Sequence, residues 1–150
     1  MMNDIGFEQW PSSKLLGSSL IGWDEESGTV EMAFVASPEF ANMRGYVQGG
    51  IVGAFLDEAM GAAMYFSSKG TQMQLTLDMN LSLMRPVEIG PISAKAKVIK
   101  SGRRVVFIES ELFAPDGRLC ARATATSIPT PMPGHGEEAD GLPAKAGVQT

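Results

Sequence analysis

The stretch from Gly50 to Phe66 reads GIVGAFLDEAMGAAMYF, a long, alanine-rich, proline-free run that predicts a helix in spite of Gly53 and Gly61. Stepping its residues at about 100° gathers Ile51, Val52, Phe55, Leu56, Ala59, Ala63 and Phe66 on one side, which is expected to pack on a sheet. The opposite side carries Gly53, Asp57, Met60, Gly61 and Met64. A lone carboxylate stands there with glycine four residues before and four after it, which makes room around the charge. A helix that is apolar on nearly every side is normally enclosed. One curved sheet covers only part of such a helix, so the Gly53/Asp57/Gly61 face is expected to meet a ligand, a second subunit or both.

Around this helix, several segments alternate apolar and polar residues with period two, the pattern of strands with one buried face. Val30, Met32 and Phe34 alternate with Glu31 and Ala33; Leu75, Leu77, Met79, Leu81 and Leu83 alternate with Thr76, Asp78, Asn80 and Ser82. Ala94, Ala96 and Val98 alternate with Lys95 and Lys97, and Val106, Ile108, Ser110 and Leu112 share one side of the next segment. Asp116-Gly117, ahead of a strand-like Leu119 to Ile128, is a hairpin signal. The expected class is α+β, an antiparallel sheet wrapped around one central helix. Residues 129–150 are rich in proline and glycine and poor in large apolar side chains, so they read as a flexible or surface-draped tail behind a domain of residues 1–128.

The chain has 150 residues, 44% of them hydrophobic and 19% charged, which suits one domain with a substantial core. Its net charge is -5, and the local group of Lys95, Lys97, Lys100, Arg103 and Arg104 makes no broad basic surface, so nucleic acid is not an expected partner. A single cysteine, Cys120, gives no disulfide framework and no Cys-based zinc site, and points to a reducing compartment, by default the cytoplasm. Met1 to Trp10 holds Asp4 and Glu8 and no basic-then-apolar run, and no apolar stretch reaches membrane-spanning length. Membrane is therefore not an expected partner either. The sole histidine, His135, lies among the prolines and glycines of residues 131–136, a poor setting for a packed site. Ser-His-Asp and Cys-His hydrolases need a base held by a rigid scaffold, and none is offered.

Ahead of the helix stands Asn42-Met-Arg-Gly45-Tyr-Val-Gln48-Gly49-Gly50. Glycines at a helix start let a substrate approach the backbone, and the first-turn N–H groups with the helix dipole favour developing negative charge. Attack on a thioester carbonyl creates such charge on oxygen. This turn, with Asp57 nine residues beyond Gln48 (57 - 48 = 9), resembles the signature of hotdog-fold thioesterases of the phenylacetate-pathway (PaaI-like) type. In that family an Asn, a Gly and a His-Gly-Gly turn lead into a central helix, with an Asp or Glu nine residues beyond the His. The resemblance continues through Thr76-Leu-Asp-Met-Asn80, Met84-Arg85-Pro86, Ser101-Gly-Arg-Arg104 and Asp116-Gly-Arg-Leu119, and spans most of residues 15 to 128.

The resemblance implies a hotdog fold and hydrolysis of an aromatic or medium-chain acyl-CoA to free acid and CoA. It also implies a homodimer, or a dimer of dimers, in which Gly49 and Asp57 of different subunits share one site; along one helix they stand roughly 12 Å apart. By the same resemblance Asp57 is the catalytic carboxylate, nucleophile or general base, and the Gly49 N–H polarises the carbonyl. Thr76 would hold the attacking water, the alternative being a threonine on the polar face of a strand. Asn42 would orient the carbonyl or the water, the alternative being a loop cap. Gln48, Gly50 and Gly61 would border the substrate, with Met60 and Met64 in an adaptable apolar pocket, the alternative being core positions. Arg103 and Arg104, beside Lys100, would meet the CoA phosphates unless they are only a solvated hairpin. Glu58, turned about 100° from Asp57, reads as a pairing or orienting residue. No metal is expected, and no cofactor apart from the CoA of the substrate itself. Gln48 departs from the family's His: it can donate and accept hydrogen bonds but cannot titrate near neutrality. That departure leaves a second reading open, a hotdog protein that binds an acyl-CoA or aromatic metabolite without turning it over. A dehydratase of this fold would be expected to use a core histidine, which the sequence does not supply.

Overall fold

The computed structural model describes residues 10–132; residues 1–9 and 133–150, His135 among them, lie outside that range. In chain order the elements are α1 (Pro11–Leu16), β1 (Ser19–Asp24), β2 (Thr29–Ala36), a 3-10 turn (Pro38–Phe40), α2 (Gly49–Ser67), β3 (Gln72–Leu83), β4 (Gly90–Ser101), β5 (Val106–Phe113) and β6 (Leu119–Pro131). The six strands form one sheet in the order β1-β2-β4-β5-β6-β3, antiparallel throughout. This is the expected α+β arrangement, with α2 packed against β2, β3, β4, β5 and β6. No helix among the described residues is long and apolar enough to cross a membrane.

α2 exceeds the expected helix by one residue at each end. Gln48 is its N-cap, and its Oε1 accepts a hydrogen bond from the Ile51 N–H at 3.1 Å. The alternating residues of β2, β4 and β5 face the helix as their period requires: Val30, Met32, Phe34, Ala94, Ala96, Val106, Ile108 and Leu112 are all buried. Alanines at 94, 96, 121, 123 and 125 keep the strand surface low, so that Phe55, Leu56 and Phe66 of the helix can sink into it. Phe55 packs against Phe34 in a tilted pair with ring centroids 5.0 Å apart, and Phe66 stacks on Trp23 at 5.4 Å. Full burial of each such side chain is worth about 1.5–3 kcal/mol. The buried hydroxyl of Ser110 donates to the Leu56 carbonyl at 3.3 Å, so its place in an apolar row leaves no orphaned donor.

The Asp116-Gly117 signal marks a real turn, with Gly117 at φ 86°. There the Arg118 N–H holds the Asp116 carboxyl below the ordinary carboxylate range. Residues 129–131, expected to open the tail, belong to β6, with Pro129 and Pro131 opposite Gln74 and Gln72; the rest of that expected tail, from residue 133, lies outside the described residues. Prolines are tolerated there for a positional reason. The Met132 N–H donates toward β3, to the Thr71 carbonyl at 2.9 Å, so the nitrogens of residues 129 and 131 point to the other edge, which β5 ceases to cover beyond Ser127.

α1 ends at Gly17, whose φ of 62° lets the chain turn directly against β2. A Cβ at Gly17 would stand 3.0 Å from the Val35 nitrogen and 3.1 Å from its carbonyl oxygen, whereas Gly28, at φ 68°, faces open space. Gly28→Ala should therefore cost only the left-handed backbone penalty, about 1–2 kcal/mol. Gly17→Ala should cost clearly more, because backbone must also move. Urea unfolding of the two variants checks this, and equal losses would contradict it.

Candidate active site

Asp57 sits on a border of α2. The partly exposed side chains Ile51, Ala54, Asp57, Glu58, Gly61 and Tyr65 all fall within an arc of roughly 120°, with Asp57 at one limit. Just past that limit come Gly53, Met60 and Met64, which are buried. The carboxylate is thus anchored at the edge of the core and faces outward.

β3 supplies its partners through a bulge. Thr76 pairs with Ser127 and Asp78 with Thr126, so Leu77 is the extra residue, and the side-chain phase inverts across it. On the helix side stand Gln74 and Thr76 before the bulge and Met79, Leu81 and Leu83 after it. The strict alternation expected over Leu75–Leu83 therefore fails: Leu75 and Leu77 are 38% and 57% exposed. The bulge turns Thr76 from the polar face onto Asp57. Its hydroxyl donates to Asp57 Oδ1 at 2.8 Å, and Gln74 Nε2 donates to the same oxygen at 3.2 Å and to the Asp57 carbonyl at 3.0 Å. Ser127, fully buried, donates to Gln74 Oε1 at 3.1 Å and so fixes the amide. No described residue donates to Asp57 Oδ2.

These groups line a cavity of about 450 Å³ together with Trp10, Ser12, Ser13, Leu16, Ala54, Glu58, Gly61, Tyr65, Met73 and Leu75. Glu58 is engaged as expected for a pairing residue: its Oε1 accepts from the Ser13 hydroxyl of α1. Its Oε2 is buried without a hydrogen-bond partner among the described residues. Gln74 and the α1 wall were not singled out in the sequence. Gln74 shares a face with Thr76 two residues on and could have been found by that spacing; α1 leaves no periodic signal in six residues.

The turn before α2 forms a second centre. Asn42 Oδ1 accepts from the backbone N–H groups of Arg44 at 2.9 Å and Tyr46 at 3.3 Å, the loop-capping alternative. The Gln48 N–H donates to the Phe40 carbonyl at 2.9 Å, which fixes where the helix begins. Gln48 is exposed and its side chain caps the first turn, with Gly50 exposed beside it. A Cβ on Gly49 would approach Leu83 Cδ1 to 2.8 Å. Asn42, Arg44, Gly49, Leu83 and Arg85 line a cavity of about 310 Å³ that Asp57 does not reach. One chain thus carries two separate cavities, one near each end of β3.

Two expectations need correction, on Met60 and Met64 and on Gly53. Met60 and Met64 are 0% and 1% exposed and belong to the core, because they lie on the sheet side of Asp57, not on the cavity side. The Gly53 part of the supposedly open face is covered by its own chain: a Cβ on Gly53 would meet Leu81 and Met79 at 3.3 Å. Arg103 and Arg104 are exposed in the β4–β5 turn and line neither cavity. That turn follows Ser101, which is on one rung with Val106, Ser127 and Thr76, about 14 Å across the sheet from Thr76. Lys95 and Lys97 stand opposite Glu111 and Glu109 and belong to a mixed-charge outer face.

Comparison with known proteins agrees with this architecture. Residues 44–121, over half of the chain, match the family model described as the thioesterase superfamily. A solved Ralstonia eutropha structure, described as a thioesterase and phenylacetic acid degradation-related protein, is 35% identical with a TM-score of 0.73, covering 79% of this chain and 90% of that one. A Saccharolobus solfataricus protein bearing an esterase name is 27% identical over 110 residues, 73% of this chain and 76% of its own length. In fold alone, a Streptococcus mutans protein solved with acetyl CoA is similar at a TM-score of 0.66 and 16% identity, over 76% of this chain and 89% of that one. With its antiparallel sheet closed on one long helix, the chain belongs to the hotdog-fold thioesterase superfamily and is of the phenylacetate-degradation-related type.

Proposed function

We propose that the protein is a cytoplasmic acyl-CoA thioesterase that hydrolyses aromatic or medium-chain acyl-CoA to the free acid and CoA. The observation that carries this reading is the Asp57 carboxylate, held through Oδ1 by Thr76 and Gln74 beside a largely apolar cavity, with Oδ2 left for chemistry. A hydroxyl has one proton and two lone pairs. Having given its proton to Asp57, Thr76 can accept a hydrogen bond from a water and hold it next to the base. On this reading Asp57 takes a proton from that water, and the water oxygen bonds to the thioester carbon. The tetrahedral oxyanion then collapses with cleavage of the C–S bond, and the proton on Asp57 goes to the departing sulfur. The Gly49 N–H at the start of α2 stabilises the oxyanion. General-base action of this kind contributes about 10²–10⁴ in rate, and one oxyanion donor about 10²–10³. The acetyl CoA bound to the Streptococcus mutans protein of similar fold supports CoA as the carrier, with Arg103 and Arg104 as the cations offered to its phosphates.

On this reading the two cavities are half-sites, brought together by a homodimer. The outer edge of β3 has no strand beside it among the described residues, and Leu75, Leu77 and Leu83 on that strand are exposed. A long, apolar, unpaired edge is a template for another strand. Antiparallel pairing of two β3 edges about a twofold sets the early half of one strand against the late half of the other. That places Asp57 and Thr76 of one subunit beside the Gly49 turn of its partner. Binding without turnover was the alternative raised by Gln48, but the cap it supplies accounts for that residue without removing the Gly49 N–H or Asp57.

Thiol release should be seen from a panel of aromatic and medium-chain acyl-CoAs, and Asp57→Asn, which keeps an acceptor for Thr76, should lower kcat by about 10²–10⁴. Undiminished turnover in this variant would remove Asp57 from the chemistry, while binding of the panel with no release would favour the non-catalytic alternative. Gln48→His should melt at the wild-type temperature, since an imidazole nitrogen can take over the cap, and turnover should be equal or higher. Loss of folding would make Gln48 a structural requirement instead.

A further inference from the structure

α1 has only six residues, too few to hold a helix by its own hydrogen bonds. Among the described residues, Leu16 enters the core, Trp10 packs against it, Gly17 turns against Val35, and the Ser13 hydroxyl, 1% exposed, donates to Glu58 Oε1. Together with Trp10 just before it, α1 supplies Ser12, Ser13 and Leu16 to the cavity that Asp57 lines. The other walls belong to α2 and β3, which the sheet and core hold rigidly. α1 is therefore the short wall of the cavity, and the Ser13–Glu58 hydrogen bond ties it by side chains to α2.

Glu58 follows Asp57 on the helix and is turned about 100° from it, away from Thr76 and Gln74 and toward α1. Its second oxygen is shut off from solvent with no partner among the described residues. Leaving a carboxylate oxygen in that state is unfavourable, a cost set against what Glu58 secures through its other oxygen, the position of Ser13.

We propose that Glu58 is a positioning residue that latches α1 through Ser13 and thereby fixes the size of the acyl group the cavity admits. Compact acyl groups, aromatic or medium-chain, fit beneath α1; long straight chains require it to move. This assignment rests on the thioesterase reading for its substrate, but not for its test.

The test compares a series from acetyl to palmitoyl plus phenylacetyl, presented as hydrolysable CoA thioesters and as unreactive CoA thioethers. The proteins are the wild type, Ser13→Ala, Glu58→Ala and Glu58→Gln. In Ser13→Ala and Glu58→Ala the ratio of kcat/KM for palmitoyl over phenylacetyl should rise about tenfold or more, the scale on which pocket contacts discriminate acyl size. Thioether affinities, measured by calorimetry, should shift in the same sense. Glu58→Gln, whose amide oxygen can still accept from Ser13, should keep the wild-type ratio, which separates the latch from a general need for charge. Uniform loss across the series, or length profiles that no variant moves, would overturn the proposal. If the wild type releases no thiol while thioether affinities follow the predicted length pattern, the thioesterase reading fails and the α1 assignment stands. Thioether affinities indifferent to the latch would refute the assignment whatever the turnover.

Discussion

The contact between α2 and β3 along Gly49, Gly53, Asp57 and Gly61 is the constraint on which the site depends. Each residue of this row meets a particular group of the strand: Leu83 at Gly49, Leu81 and Met79 at Gly53, Thr76 and Gln74 at Asp57, and Gln74 again at Gly61. Three glycines bring the helix backbone close enough for the fourth member, a short carboxylate, to reach the strand's polar side chains directly. Alanine at Gly49 or Gly53 would press on the side-chain ends of Leu83, Leu81 or Met79, which would have to shift. The glycines are therefore spacing elements for a hydrogen bond at one end of the strand and for close approach to the helix start at the other.

The bulge at Leu77 is the second half of that constraint. A regular strand would present either Thr76 or the Met79/Leu81/Leu83 row to the helix, but not both, since a side-chain period of two cannot be in phase with both sets. One extra residue resolves the conflict and lets a single strand carry a polar anchor and an apolar seal. It also turns Leu75 and Leu77 outward, so the device that builds the site exposes apolar surface beside an unpaired edge. On the proposed reading, the Asp57 site and the β3 edge that would pair in a dimer have a common origin in one irregularity.

Much of this was legible in the sequence. The central helix, the alternation of β2, β4 and β5, the Asp-Gly turn and the nine-residue spacing to Asp57 all report local rules of periodicity and turn chemistry. The residues that misled did so where tertiary contacts override those rules. Met60 and Met64 lie within about 60° of Asp57 on a helical wheel, yet the wheel does not say on which side of the carboxylate the sheet ends. The strict period of Leu75 to Leu83 concealed a bulge, because leucines on both sides of it satisfy a regular strand as well as a broken one. Gln74, Ser13 and Glu58 acquire roles only through hydrogen bonds between elements distant in the chain. Arg103 and Arg104 carry charge on an exposed turn outside both cavities, so their part in binding rests on the proposed CoA carrier alone.

The central claim is that Asp57 and the Gly49 turn act together across a subunit boundary, and subunit mixing tests it most directly. Asp57→Asn and Asn42→Ala chains, each inactive alone, are refolded together and hybrid dimers are identified by mass. One interface of each hybrid collects both lesions and the other collects none, so the account predicts thiol release at about half the wild-type rate per dimer. Hybrids that form but release no thiol would contradict the shared site.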